Sequence, residues 1–197
     1  MNQHHDIAAG NNPREQALVN LHRLTVQGCR FPNKVFLRDW AGYYFFDSDH
    51  LFDGEFVETA KALIKCEASI CICVSDLEAV AGEAGSTFFV DSDQTGDAYR
   101  AFLNGPTAGS GWMHDVSRFG IVSDLGHWAI YCERQSEIAV MAIKQKNEIE
   151  LYAAQLASWK AMPIERALNP PLSYGFSPQA LSAEWRCGLL KSYRQAE

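Results

Sequence analysis

Residues 118–144, "RFGIVSDLGHWAIYCERQSEIAVMAIK", hold three apolar runs of similar length: RFGIVS, HWAIYCE and EIAVMAIK. Their separators, DLG and RQS, are short and polar or glycine-bearing, as hairpin loops are. Side chains alternate across a strand, so Trp128, Ile130 and Cys132 take one face and Ala129 and Tyr131 the other. A three-stranded antiparallel meander over about 118–144 follows. The same region gathers chemistry-bearing residues: His114, Asp115, His127 and Cys132. A Cys–His nucleophilic pair needs a partly exposed thiol in an electropositive setting. Cys132 instead falls mid-strand among apolar neighbours. His127 sits at a hairpin base and His114 at a strand start, so these polar residues read as turn and rim positions.

Upstream, "NNPREQALVNLHRL" predicts a helix, with Asn12 as cap, Pro13 at the first position and Leu18, Leu21 and Leu24 in a stripe. "NKVFLRDWAGYYFF" is extended, with Gly42 at a bend. "DGEFVETAKALIK" is the clearest helix, capped by Asp53 and carrying Phe56, Val57, Ala60, Leu63 and Ile64 on one face. "SICICV" and "STFFVD" read as strands, "SDLEAVAGEAGS" as a helical turn or glycine-rich loop, and "TGDAYRAFLN" as a helix capped by Thr95. "GPTAGSG" is a loop. Downstream of the meander, "NEIELYAAQLASWK" aligns Ile149, Tyr152, Leu156 and Trp159. "SPQALSAEWRCGLLKSYR" takes Ser177 as cap, Pro178 at its first position and Leu181, Trp185 and Leu189 on one face. A proline-punctuated connector, "MPIERALNPPLSYGF", lies between these two helices.

The order α-β-α-β-β-α-β-β-β-α-α lacks the alternation of a parallel doubly wound sheet. The expected fold is α+β: a largely antiparallel sheet flanked by helices, with two helices at the C-terminus. The chain reads as a single domain over 1–197, with residues 1–12 flexible and 145–197 a helical segment packed on the sheet.

Hydrophobic residues make up 47% and charged ones 21% of the 197, which is the balance of a chain with a real core. No apolar run approaches the ~20 residues that cross a bilayer. "MNQHHDIAAGNNPREQ" lacks a signal peptide's basic and apolar blocks, so the expected address is the cytoplasm. In that compartment the six cysteines are reduced thiols. Cys71 and Cys73 share a strand face and with Cys66 invite a zinc reading, but a second closely spaced pair is missing.

The net charge of −7 is uneven: Asp39–Asp97 holds thirteen acidic residues against two basic ones. Such a surface disfavours nucleic acids and anionic membranes and suits a basic protein partner. Neither a nucleotide-binding glycine loop nor a G-x-S-x-G elbow is present.

"YFFDSDHLFDGEF" at 44–56 is nearly repeated by "FFVDSDQTGDAY" at 88–99, so Asp47 and Asp49 match Asp91 and Asp93. The second copy resembles, over eight residues, the first motif of the haloacid-dehalogenase-type phosphatases. That resemblance implies Asp91 as nucleophile and Asp93 as acid/base, joined by magnesium. The family's downstream acidic pair has no Asp to supply it, since none follows Asp124, and Glu148 and Glu150 begin a predicted helix. Helix-capping Asp residues after strands would give both copies without chemistry. "DSDHLFDG" also departs from the acid spacing of an EF-hand calcium loop.

Trp40, Tyr43, Tyr44, Phe45 and Phe46 place five aromatics among seven residues, flanked by Asp39, Asp47 and Asp49. One sheet face cannot bury them all; most are expected in the core or beneath a helix, and part of the block is expected to form an aromatic patch rimmed by carboxylates. The expected binding set is Asp39, Trp40, Tyr43, Tyr44, Asp47, Asp49 and Asp53. The functional expectation is a non-catalytic protein-binding domain for a basic partner, in the manner of a bacterial immunity-type inhibitor. The alternative is a metal-assisted phosphoryl or ester hydrolase centred on Asp91 and Asp93, with Mg as its cofactor.

Overall fold

A computed structural model describes residues 12–78, 87–107, 111–168 and 182–194. In chain order the elements are α1 (Pro13–Leu24), β1 (Gly42–Asp47), α2 (Glu55–Glu67), β2 (Ile72–Asp76), β3 (Thr87–Val90), α3 (Gly96–Asn104) and α4 (Trp112–Asp115). Then follow β4 (Arg118–Ser123), β5 (Trp128–Glu133), β6 (Ile138–Ile143), α5 (Ala153–Ser158), α6 (Ile164–Ala167) and α7 (Ala183–Tyr193). The strands form one antiparallel sheet in the order β1-β6-β5-β4-β2-β3, with helices on both faces: an α+β fold.

The meander sits at the centre of the sheet, and β1 and β3 are its edges. Its alternation is that of the sequence. Trp128, Ile130 and Cys132 pack under α2, α3 and α5 with Phe119, Ile121 and Met141. Ala129 and Tyr131 pack on the other face with Val122, Val140 and residues of α1, α6 and α7. Both faces are covered, so every residue of β4, β5 and β6 is buried, and the strands read as unbroken apolar runs instead of polar–apolar alternations. Gly120 makes one of these packings possible: a Cβ there would lie 2.4 Å from Leu21 Cδ1, so α1 could not sit this close on β4.

Caps follow the chemistry expected of them. Asn12 accepts from Arg14 N, and Thr95 accepts from Ala98 N at the start of α3. The start of α2 is shifted by one residue. Gly54 is the capping position, and Asp53 still serves the turn by accepting from Glu55 N at 3.3 Å. The predicted helix after the meander is divided. A 3-10 segment, Lys146–Tyr152, precedes α5 because Gln145 and Glu148 form a reciprocal capping box. Ser182 caps α7, accepting from Trp185 N. Ser177, Pro178 and Leu181, assigned to this helix from the sequence, lie outside the described residues, as do residues 1–11, 79–86, 108–110 and the later part of the connector.

Two expectations are corrected, and the zinc reading gains no support. The extended reading of 33–46 holds only for β1; residues before it form a single bridge, Thr25–Phe36. Phe31, Val35, Phe36 and Trp40 meet their need for burial by packing onto the sheet face, not by strand pairing. His114 belongs to the short helix α4, not to a strand start. The zinc idea also fails geometrically: Cys71 and Cys73 are buried in one core while Cys66 is exposed on α2.

Candidate binding surface at one end of the sheet

Antiparallel pairing across six strands sets the two Asp-Ser-Asp turns apart. Asp47 ends β1 at one edge, and Asp91 follows β3 at the opposite edge and the opposite end of the sheet. Five strand spacings of about 4.8 Å separate those edges by roughly 24 Å. Each first Asp closes its own turn: Asp47 Oδ1 accepts from Asp49 N at 2.9 Å and Asp91 Oδ1 from Asp93 N at 3.1 Å. The other oxygen of Asp91 is held by the Arg14 guanidinium at 2.7 Å. The Arg14 hydrogen bond is the leading cause of an Asp91 carboxyl pKa below its usual value. A magnesium ion would have to displace a cation already in place. Among the described residues no group of three or more His, Cys, Asp or Glu is disposed to hold a metal. The residues do not fit the magnesium chemistry that the phosphatase resemblance implies.

The expected binding set is likewise divided. Asp39 is exposed, pairs with Lys34, and lies with Trp40 before the start of β1. Trp40 is only 9% exposed and Tyr43 5%; Phe36 lies against both. Tyr44 is half-buried and packs toward the α2 side. The aromatic block is therefore core shared between both sheet faces. The expected aromatic patch is not formed by Trp40 or Tyr43, because loop 25–41 and α7 cover their face. Asp47, Asp49 and Asp53 do stay together, at the far end of β1.

What joins them was not legible as a motif. Gly54 and Gly96 touch so closely that a Cβ on Gly96 would lie 2.8 Å from Gly54 O. This contact abuts the N-termini of α2 and α3, and Arg100 bridges Asp53 at 3.5 Å and Asp97 at 2.7 Å. The third Asp residues of the two near-repeats thus converge although the first ones do not. Asp49, Asp53, Glu55, Glu58 and Asp97 are all exposed, Glu58 being paired with Lys61 at 3.3 Å.

Beside this surface opens a cleft of about 520 Å³, lined among others by His114, Asp115, Ser117, Arg134, Gln135 and Glu137. It is continuous with the acidic turn: Ser48 N donates to Glu137 O at 3.2 Å, and the Arg134 guanidinium lies 5.6 Å from the Phe52 ring centre. Its wall is braced from behind. The Ser117 hydroxyl donates to Glu78 at 2.7 Å, and Glu78 binds Arg118 and Arg30 at 2.8 and 2.7 Å. The Ser117 bond, then the two guanidinium groups, hold the Glu78 carboxyl below its usual range despite partial burial.

The opposite end of the sheet holds a second polar cluster. Buried Glu67 accepts from His127 N at 3.1 Å and from Trp128 Nε1 at 3.0 Å, and His127 Nδ1 lies 3.3 Å from Glu148. Desolvation raises the Glu67 pKa. Its oxygens are spent holding the β4–β5 hairpin to α2. Cys132 is fully buried and its thiol is pushed well above the usual value by burial, so it is no nucleophile beside His127.

Compared with known proteins, the chain matches no family model, no curated protein and no solved structure. Among the described residues no helix is long and apolar enough to cross a membrane.

Proposed function

We propose that this chain is a non-catalytic cytoplasmic binding module that recognises a basic protein, in the role of a bacterial immunity-type inhibitor. The observation that carries the reading is the meeting of Asp53 and Asp97 at Arg100, with the exposed carboxylates of Asp49 and Glu55 on the same stretch as Asp53. One arginine shared by two carboxylates leaves this surface negative. A negative surface of this kind raises the encounter rate with a cationic protein and discriminates against acidic ones. The binding residues are then Asp47, Asp49, Asp53 and Asp97, with the buried aromatics supplying rigidity instead of contact.

The test is capture from extract of the cells that carry the gene, at low salt, with wild-type chain and with Asp53→Lys/Asp97→Lys. The expected result is a basic protein retained by the wild type, released by salt and lost by the double variant. Equal retention by both chains, or retention of no basic protein at low salt, would overturn the reading.

A further inference from the structure

Asp115, Glu137 and Arg134 line the cleft, and none of the three forms an ion pair with another described residue. The charged groups just behind the wall contrast with them: Arg30, Glu78 and Arg118 are bound to one another. The braced network therefore leaves three charged residues of the cleft lining outside any ion pair with a described residue. Asp115, Glu137 and Arg134 give the lining two negative charges against one positive, so a cation is favoured over an anion. The Arg134 guanidinium lies 5.6 Å from the centre of the Phe52 ring, which packs at 5.2 Å against the Phe119 ring, and this contact favours a place at the cleft margin. It remains a donor at the margin. A volume of about 520 Å³ exceeds one side chain and leaves room for the main chain that bears it.

We propose that this cleft receives a single lysine or arginine side chain of the basic partner. The cationic head lies between the carboxylates of Asp115 and Glu137, and Arg134 donates to the main-chain carbonyl of the same partner residue. The proposal rests on the basic-partner reading and makes it specific. The acidic surface around Asp53 and Asp97 steers the partner, and the adjoining cleft takes the anchoring residue. A bare cation would satisfy only the carboxylates, whereas a peptide residue satisfies all three charged groups.

The probes are N-acetyl-arginine amide and N-acetyl-lysine amide, with N-acetyl-glutamine amide as the neutral control and agmatine as a cation without the carbonyl. Binding to the full chain is followed by amide chemical shifts in NMR. The expected result is saturable shifts at residues 114–117 and 134–137 with at least one cationic amide. That probe should bind about tenfold or more tightly than the neutral control, the factor that ~1.4 kcal/mol of charge-assisted contact produces. Asp115→Asn and Glu137→Gln each weaken it about tenfold, and agmatine binds less well than the arginine amide. Asp115 and Glu137 are both exposed, so neither substitution threatens the fold. No preference for the cationic amides, or unchanged affinity in both variants, would overturn the proposal. The probes read the cleft alone, and the Asp53→Lys/Asp97→Lys capture reads the steering surface alone. A failure of one is therefore distinguishable from a failure of the other.

Discussion

Two tyrosines offer the sharpest test of the packing, because the same substitution should act in opposite directions at each. The Tyr193 hydroxyl, at the end of α7, donates to Asn33 O at 2.7 Å and accepts from Val35 N at 2.9 Å. It ties the C-terminal helix to the loop that covers the sheet. Its ring meets Phe45, Tyr43 and Phe31 at 5.2, 5.3 and 5.9 Å. Tyr193→Phe keeps those ring contacts and removes one oxygen atom. Val35 N–H is then buried without an acceptor, which costs about 1–3 kcal/mol. The carbonyl of the exposed Asn33 can turn partly to water and adds about 1 kcal/mol at most. The expected loss is about 2–3 kcal/mol, or roughly 5–10 °C in Tm for a chain of this size. The Tyr152 hydroxyl is buried with no partner among the described residues. Tyr152→Phe removes an unsatisfied polar atom, so it is expected to be neutral or to stabilise by up to ~1 kcal/mol. Thermal and denaturant unfolding of the two variants beside the wild type measures both. A Tm change under about 2 °C for Tyr193→Phe, or equal losses in the two variants, would refute this account of how α7 is held.

Other consequences are open to equally direct measurement. Burial raises the Glu67 pKa above its usual 4.5, so the folded chain holds that proton more tightly than the unfolded one. The stability this contributes is full below pH 4.5 and drains away as pH rises through the raised value. Wild type should thus lose stability relative to Glu67→Gln over that interval in denaturant melts, whatever the constant offset between them; a wild type that gains stability relative to Glu67→Gln as pH rises would refute it. Thiol labelling of the native chain should modify Cys66 and Cys187 quickly and leave Cys71, Cys73 and Cys132 until unfolding, since burial pushes the Cys71 and Cys73 thiols up to about 11 and about 12. Rapid labelling of Cys132 would show the sheet to be loosely covered. Because Arg14 already occupies Asp91, added magnesium should leave Tm unchanged, and Asp91→Asn should cost no more than ~1 kcal/mol as the loss of a partly exposed ion pair. A magnesium-induced rise that Asp91→Asn abolishes would restore the metal-hydrolase reading.

The meander, the caps at Asn12 and Thr95 and the helical face of α2 were all legible in the sequence, because each depends on residues within a turn or a hairpin of one another. Period-two alternation in HWAIYCE specifies which side chains share a face wherever the strand lies. A capping side chain reaches only two or three residues along the chain. The same locality misled at the aromatic block. The sequence showed five aromatics too many for one face, but not that loop 25–41 and α7 would cover the second face and take up Trp40 and Tyr43.

The proposed binding surface depended on distances that no local pattern carries. Asp47 and Asp91 look alike in sequence, and the strand order alone sends them to opposite corners of the sheet. Asp53 and Asp97 hold matching places in the two near-repeats, yet it is the contact of Gly54 with Gly96 that brings them to a shared arginine. Glu67 and His127 meet across 60 residues, and Arg134, an ordinary hairpin residue by sequence, becomes a cleft wall only because Phe52 lies beneath it. Composition by itself determined that this chain has a core and an acidic middle. Where the acids gather, and which of them lack a partner, only the antiparallel order of six strands and the covering of both faces decided.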